Sequence, residues 1–248
     1  MKFYLRAFCI LLLWGAVAAL AQKPAPPRGP ANPPAGKAPV AEVKKVTVPP
    51  PLQAAPPASR LTLFAKQVLE EINLARQAPR SYAQYLEERK KYFKGRELQL
   101  PNRTPILTSE GVAVVDEAIA FLRQLKPSEP LEESYGLTSA ARVHLLDMQT
   151  KNISGHRGSD GSVPPQRVAR FGDARGAVGE IIDYGSPTAR EVVIGFLIDD
   201  GVANRGHRLK LLSPDFAQAG IFASPGDAHG ALCIVVLAQD FEENEDSP

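Results

Sequence analysis

The sequence predicts an α+β fold, with helices first and strands late, and three observations carry that reading. Apolar residues recur at helical spacing between Leu63 and Thr150. Strand-like, β-branched runs gather after Val178. No strand–helix–strand alternation links them, which argues for segregated layers over a repeated βαβ unit. With 248 residues, 44% hydrophobic and 23% charged, the chain can bury one sizeable core and still carry appendages. That composition excludes a collagen-like, wholly disordered or multi-span membrane protein.

The first segment, residues 1–21, reads as a secretory signal peptide. Lys2 and Arg6 supply the positive start, Phe8–Leu20 the apolar stretch, and Ala19-Leu20-Ala21 a small-x-small cleavage site. The apolar stretch is short for a membrane span, so no transmembrane span is expected in the mature chain. Cleavage would leave Cys233 as the lone cysteine, so core packing, not a disulfide, must stabilise the fold. Residues 22–60 form a Pro/Ala-rich tether. Proline withholds backbone donors and favours extended chain, as in Pro24-Ala25-Pro26-Pro27 and Pro49-Pro50-Pro51. The tether is basic: Lys23, Arg28, Lys37, Lys44, Lys45 and Arg60 stand against Glu42. The overall charge of +2 therefore hides a net acidic domain from residue 61 on, and no nucleic-acid partner is expected.

The domain should occupy 61–241. Leu63, Val68, Leu69 and Ile72 suit one amphipathic helix, broken at Pro79. Tyr82, Tyr85 and Leu86 begin a second after Ser81. Val112–Leu125 is a third, with Val114, Val115, Ala118, Ile119 and Leu122 on one face, closed by Pro127 and Pro130. Such a face could line a lipid groove, but core packing explains it equally. Thr138 can cap a fourth helix, Ala140–Thr150, in which His144 and Asp147 share a face and can pair. Ser154–Ser162 is a glycine-rich loop, and Gln166–Phe171 a short helix. Val178–Tyr184 is a strand, Thr188–Ile198 a helix ending near Asp199-Asp200-Gly201, and Gly220–Ala223 and Ala231–Ala238 are strands. Residues 242–248 form an acidic tail with no expected structure.

Chemistry-bearing residues remain after the common motifs are eliminated. Gly-x-Ser-x-Gly, His-Glu-x-x-His, phosphate-loop and Cys-x-x-Cys patterns are absent. His156 sits in the glycine-rich loop, where backbone freedom can aim a side chain. Glu180 lies between Gly179 and the apolar Ile181-Ile182, where a carboxylate needs a partner; Arg167, Arg170 and Arg175 are candidates. His207 is flanked by Arg205 and Arg208 and could belong to a basic surface patch. Asp199 and Asp200 could simply turn the chain. Two imidazoles and two carboxylates, if they converge, suit Zn²⁺ or metal-free acid–base work.

Five short segments occur in an order that resembles the CAP superfamily of cysteine-rich secretory, antigen-5 and pathogenesis-related proteins, with its bacterial SCP-like members. They are Ile72–Arg76, the Ala-Ala-Arg-x-His-x-x-Asp-Met run at 140–148, Gly155–Gly161, Gly179–Ile182 and Arg205–Arg208. The resemblance implies an α-β-α sandwich with extra N-terminal helices and a cleft lined by two histidines and two acids. Carried over, His156, His207 and Asp199 would be metal ligands for Zn²⁺, with Asp200 as the alternative to Asp199, and Glu180 would be the catalytic general base. The chain departs from the pattern at Ile181, where asparagine is usual, and at Phe196, where tryptophan is usual. The 199–207 segment is also longer, and 80–135 adds helical material.

A secreted or periplasmic domain that binds a divalent metal or small ligand is the expected function. The alternatives are a metal-assisted hydrolase acting on peptide or cell-envelope material, and a lipid-binding or structural envelope module.

Overall fold

Four strands make the central sheet, and their side-chain alternation builds two cores. The computed structural model describes residues 63–227 and 230–244. The leader 1–21, the tether 22–60 and the last tail residues, 245–248, lie outside them. Strand β4 (Glu132–Glu133) lies parallel to β6 (Gln218–Asp227). Strand β7 (Gly230–Glu243) runs antiparallel between β6 and β5 (Gly172–Tyr184), giving the order β4-β6-β7-β5.

Successive residues on a strand face opposite sides. Ile181, Ile221, Val235 and Leu237 therefore enter one core with helices α1 (Leu63–Gln77), α3 (Val112–Gln124), α6 (Ala189–Ile198) and α7 (Gly206–Leu212). Ile182, Ile234, Val236 and Ala238 enter the other with α4 (Tyr135–Lys151) and α5 (Pro164–Val168). Helices thus cover both faces of the sheet, an α-β-α sandwich. Helix α2 (Pro79–Lys90) and a small meander, β1 (Phe93–Lys94), β2 (Glu97–Leu98) and β3 (Ile106–Leu107), make up much of the added 80–135 material. The third helix packs on α2 and α6 and buries its apolar face in the core.

Several boundaries differ from the sequence reading, each for a physical reason. Pro79 opens α2 instead of merely breaking α1, because proline's missing N–H costs nothing at a helix start. The fourth helix begins at Tyr135, not Ala140. Ser134 is its cap, accepting from the Leu137 N–H, and Thr138 lies inside the first turn, donating back to the Ser134 carbonyl. Gly136 permits that start: a Cβ there would stand 2.7 Å from the Phe241 ring. Strand β5 begins at Gly172, six residues early, because its exposed polar half pairs with the end of β7. That pairing also draws Glu242 and Glu243 out of the expected tail and into β7.

The Ile72–Arg76 segment is a brace. Asn73 exchanges two hydrogen bonds with the Leu131 backbone, at 3.0 and 2.7 Å. Arg76, fully buried, donates to the carbonyls of Glu129, Leu211, Ser213 and Phe216 at 2.8–3.0 Å. It ties α1 to the chain that follows α7.

Candidate functional site

The candidate residues assemble as two histidine–carboxylate pairs. In the first, Glu180 on β5 points to the α4–α5 side of the sheet, sharing the parity of Ile182. His156 donates from Nδ1 to Glu180 Oε1 at 2.9 Å, and Arg167 donates from Nη2 to Oε2 at 2.7 Å. Of the three arginines weighed as partners, Arg167 is the one that reaches Glu180; Arg170 pairs with Asp160 and Arg175 with Glu242. Arg167 also donates to the carbonyls of His156 and Ser162, which staples the glycine-rich loop to α5 and fixes where His156 stands. Asp147 completes the loop by accepting from the Ser159 N–H and hydroxyl.

Burial works to raise the Glu180 pKa. The hydrogen bonds from His156 and Arg167, and the charge of Arg167, outweigh it and hold the carboxyl below its ordinary value. An ionised carboxylate only accepts hydrogen bonds, so the proton between the pair rests on His156 Nδ1. The Nε2 lone pair is then left outward, on a side chain 47% exposed, while Glu180 itself is 1% exposed.

The second pair is built on a turn. Asp199 ends α6 in the left-handed region at φ 57°, a conformation aspartate tolerates. Its Oδ1 accepts from His207 Nδ1 at 2.6 Å, and its Oδ2 accepts from the backbone N–H groups of His207 and Arg208. His207 is 28% exposed against 1% for Asp199, and its ring lies 5.8 Å from that of Phe196. Phe196 thus supports the imidazole from the position where the resemblance expected tryptophan. Asp200 turns the other way, accepting from the N–H groups of Ser109 and Glu110, so Asp199 is the acid beside His207.

The arginines around His207 are not a surface patch. Buried Arg208 donates to the carbonyls of Leu197 and Ile198 and pairs with Glu117. Arg205 pairs with Glu110 and Glu117, which holds the long 199–207 segment against α3. Those contacts keep both carboxyls depressed, to about 2, through their hydrogen bonds to Arg205 first of all.

The two carboxylates belong to different elements, Glu180 facing α4–α5 and Asp199 at the α6–α7 turn. Among the described residues, no group of three or more His, Cys, Asp or Glu side chains gathers to hold a metal ion. His144 and Asp147 do not pair with each other as the helix spacing allowed. His144 is fully buried, Nε2 2.8 Å from the Gly155 carbonyl and 3.8 Å from Glu180 Oε1. Sequence reasoning missed it as a neighbour of Glu180, although its place in the Ala-Ala-Arg-x-His run was the available signal. Arg167 was weighed only as a partner, yet it anchors the loop as well. Ile181 points away from the pair into the opposite core, fully buried. Cys233 is buried there too, its thiol pushed up by burial. Among the described residues, no helix is long and apolar enough to cross a membrane.

A family model described as the cysteine-rich secretory protein family, CAP, matches residues 117–241. The uncharacterized protein YkwD of Bacillus subtilis (strain 168) is 30% identical over 99 residues, which cover 40% of this chain and 37% of that protein. The match thus spans well under half of that relative's length. Among solved structures, an outer surface protein of Borrelia burgdorferi aligns with a TM-score of 0.38 at 18% identity, over 46% of this chain and 78% of that one. An extracellular protein containing an SCP domain from Bacillus anthracis str. Ames aligns at 0.37 and 17%, over 52% and 38%. A cysteine-rich secretory protein from Staphylococcus aureus subsp. aureus Mu50 aligns at 0.32 and 12%, over 52% and 38%.

Proposed function

The chain belongs to the cysteine-rich secretory protein (CAP) family, and from that premise we propose that it acts outside the cytoplasm as a ligand-binding domain whose contact atoms are the Nε2 nitrogens of His156 and His207. One observation carries the reading. Each partly exposed imidazole is anchored through Nδ1 by a carboxylate that is almost wholly buried. That arrangement fixes the tautomer and leaves a lone pair outward, as carboxylates do behind metal-binding or proton-accepting histidines. The leader-like residues 1–21 support export.

Glu180 and Asp199 are positioning residues in this reading. Both Glu180 oxygens are engaged, and its lowered pKa makes it a poor proton acceptor. A divalent ion such as Zn²⁺ fits the donor chemistry of two imidazole nitrogens, His156 and His207 being the residues that would hold it. Asp199, its oxygens taken by His207 and backbone N–H groups, would stand behind His207. Bound there, the ion would polarise a water or a ligand oxygen.

Calorimetric titration of the chelator-treated full chain with Zn²⁺ tests the reading, with folded His156→Ala and His207→Ala variants alongside. Stoichiometric binding lost in both variants is the expected result and would place both imidazoles on one ion. Binding unchanged in both would sink the metal form of the proposal. Binding lost in one alone would restrict it to that pair.

A further inference from the structure

An open cavity of about 220 Å³ lies between α2 and α6, and none of His156, Glu180, Asp199 or His207 lines it. Tyr85, Tyr92, Leu100 and Ile194 give it apolar walls. One wall is fixed in advance. The Arg190 guanidinium lies over the Tyr85 ring, 3.9 Å from its centroid. Glu71 accepts from Arg190 Nε at 2.7 Å and from the Tyr82 hydroxyl at 2.8 Å. A ligand entering here meets a surface that needs no rearrangement.

The charges in the walls do not cancel. Arg190 is answered by Glu71, Glu191 by Arg103, and Glu88 by Lys91. Arg89 also lines the cavity and is part-buried, yet its side chain makes no hydrogen bond or ion pair with the described residues. Burial lowers its pKa, the charge of Glu191 raises it, and the charge of Arg103 lowers it again. Three guanidiniums, Arg89, Arg103 and Arg190, therefore share two carboxylates, Glu71 and Glu191. A part-buried cation without a partner has lost hydration and gained nothing in exchange.

That imbalance defines the ligand chemistry. A guanidinium offers a planar fork that takes a carboxylate through two parallel hydrogen bonds. One surplus charge suits a monoanion. A dianion such as a phosphate monoester meets repulsion from Glu88 and Glu191 in the same walls. The apolar walls ask for an apolar body beside the charge. At about 30 Å³ per water, the volume holds roughly seven waters, room for a carboxylate with one short branched chain.

We propose that this cavity is a binding site for a small apolar monocarboxylate, its carboxylate on Arg89 and its apolar body against Tyr92, Leu100 and Ile194. The site stands whether or not the two imidazoles bind a ligand.

An NMR titration of the ¹⁵N-labelled full chain with 4-methylpentanoate tests it. The expected result is a saturable shift of the Arg89 Nε–H signal with a Kd of about 1 mM. Two control probes separate charge from shape: 4-methylpentanamide keeps the shape without the charge, and acetate keeps the charge without the body. Each should bind at least about tenfold more weakly. Arg89→Gln, followed through the backbone signals of α2 and α6, should weaken 4-methylpentanoate about tenfold or more. It removes a charge that no partner holds, so the fold should persist, as circular dichroism would verify. Leu100→Ala should weaken binding a few-fold, and Arg175→Ala, outside the cavity, should leave it unchanged. Binding of N-acetyl-L-leucine alongside 4-methylpentanoate would support the proposal with peptide C-termini as the source, and its exclusion would support it with free acids. The proposal is overturned by the absence of saturable shifts up to about 0.1 M 4-methylpentanoate. It is equally overturned if the amide or acetate binds as tightly, or if binding is indifferent to Arg89→Gln.

Discussion

The two histidine–carboxylate pairs reach the same end by different physics. Glu180 belongs to a strand and is buried among α4 and α5, where a carboxylate survives because Arg167 and His156 answer its charge. Asp199 belongs to a turn, where backbone N–H groups of α7 and the His207 ring satisfy it without a guanidinium partner. One pair is therefore part of a charge network inside the protein. The other is a hydrogen-bonded cap at an element boundary, and losing it should matter less to the fold.

Mutation can break that comparison directly. Glu180→Gln would strand the buried Arg167 charge and should cost about 3 kcal/mol, whereas Asp199→Asn keeps the turn and should cost about 1 kcal/mol. Urea unfolding measures both, and equal losses would show that the strand pair is not held by its charge network.

Acid sharpens the contrast next. The folded pKa of Glu180 lies below the unfolded value, so the unfolded chain takes up the proton first as pH falls. Its contribution is complete above the ordinary glutamate range near about 4.3 and is lost on the way down to the folded value. His144, kept neutral by burial, adds an earlier loss that starts as pH falls through about 6.5, where the unfolded histidine charges first. Unfolding free energy followed from pH 8 to pH 3 should fall in these two stages, and Glu180→Gln should erase the lower one. A lower limb intact in that variant would assign it to other carboxylates.

A smaller effect distinguishes the pairs without loss of fold. Histidine ¹⁵N spectra should show Nδ1–H tautomers for His156 and His207 in the wild type. Asp199→Asn should disturb His207 alone, and Glu180→Gln His156 alone. A variant that disturbed both rings would mean that the pairs are coupled through the sheet.

The smallest effect is expected from Arg205→Ala. This side chain, itself 14% exposed, steadies the 199–207 segment through the part-exposed carboxylates of Glu110 and Glu117. Its removal should lower stability only slightly, and less so in high salt, because exposed pairs are screened. A large, salt-independent loss would place the Asp199 turn among the core elements.

Much of this was legible beforehand. Helices α1, α3 and α6 were read close to their observed limits, because each carries a strong apolar period and a proline or glycine near its end. Helix α7 was not, since its seven residues read as a basic cluster until Arg208 is seen buried beneath Glu117. The two-residue strands β1 to β4 have too little sequence to show a period. Of the site, His156, Glu180, Asp199 and His207 were all named, but their partnering was not. Asp199 and Asp200 are indistinguishable as neighbours in sequence. The left-handed turn at Asp199 is what sends one to His207 and the other to α3.

The sequence by itself determined that helices come first and strands late, that residues 22–60 are net basic and 61–248 net acidic, and which ionisable residues stood beside glycines or apolar runs. Periodicity, proline and local charge are properties of neighbouring residues, and they survive without a fold. Only the tertiary structure decided that Arg167, not Arg170 or Arg175, neutralises Glu180, and that His144 shares its surroundings. It alone gave each imidazole its own buried carboxylate. Those outcomes depend on which strand face a side chain takes and on contacts between residues far apart in the chain, where burial makes the choice of partner decisive.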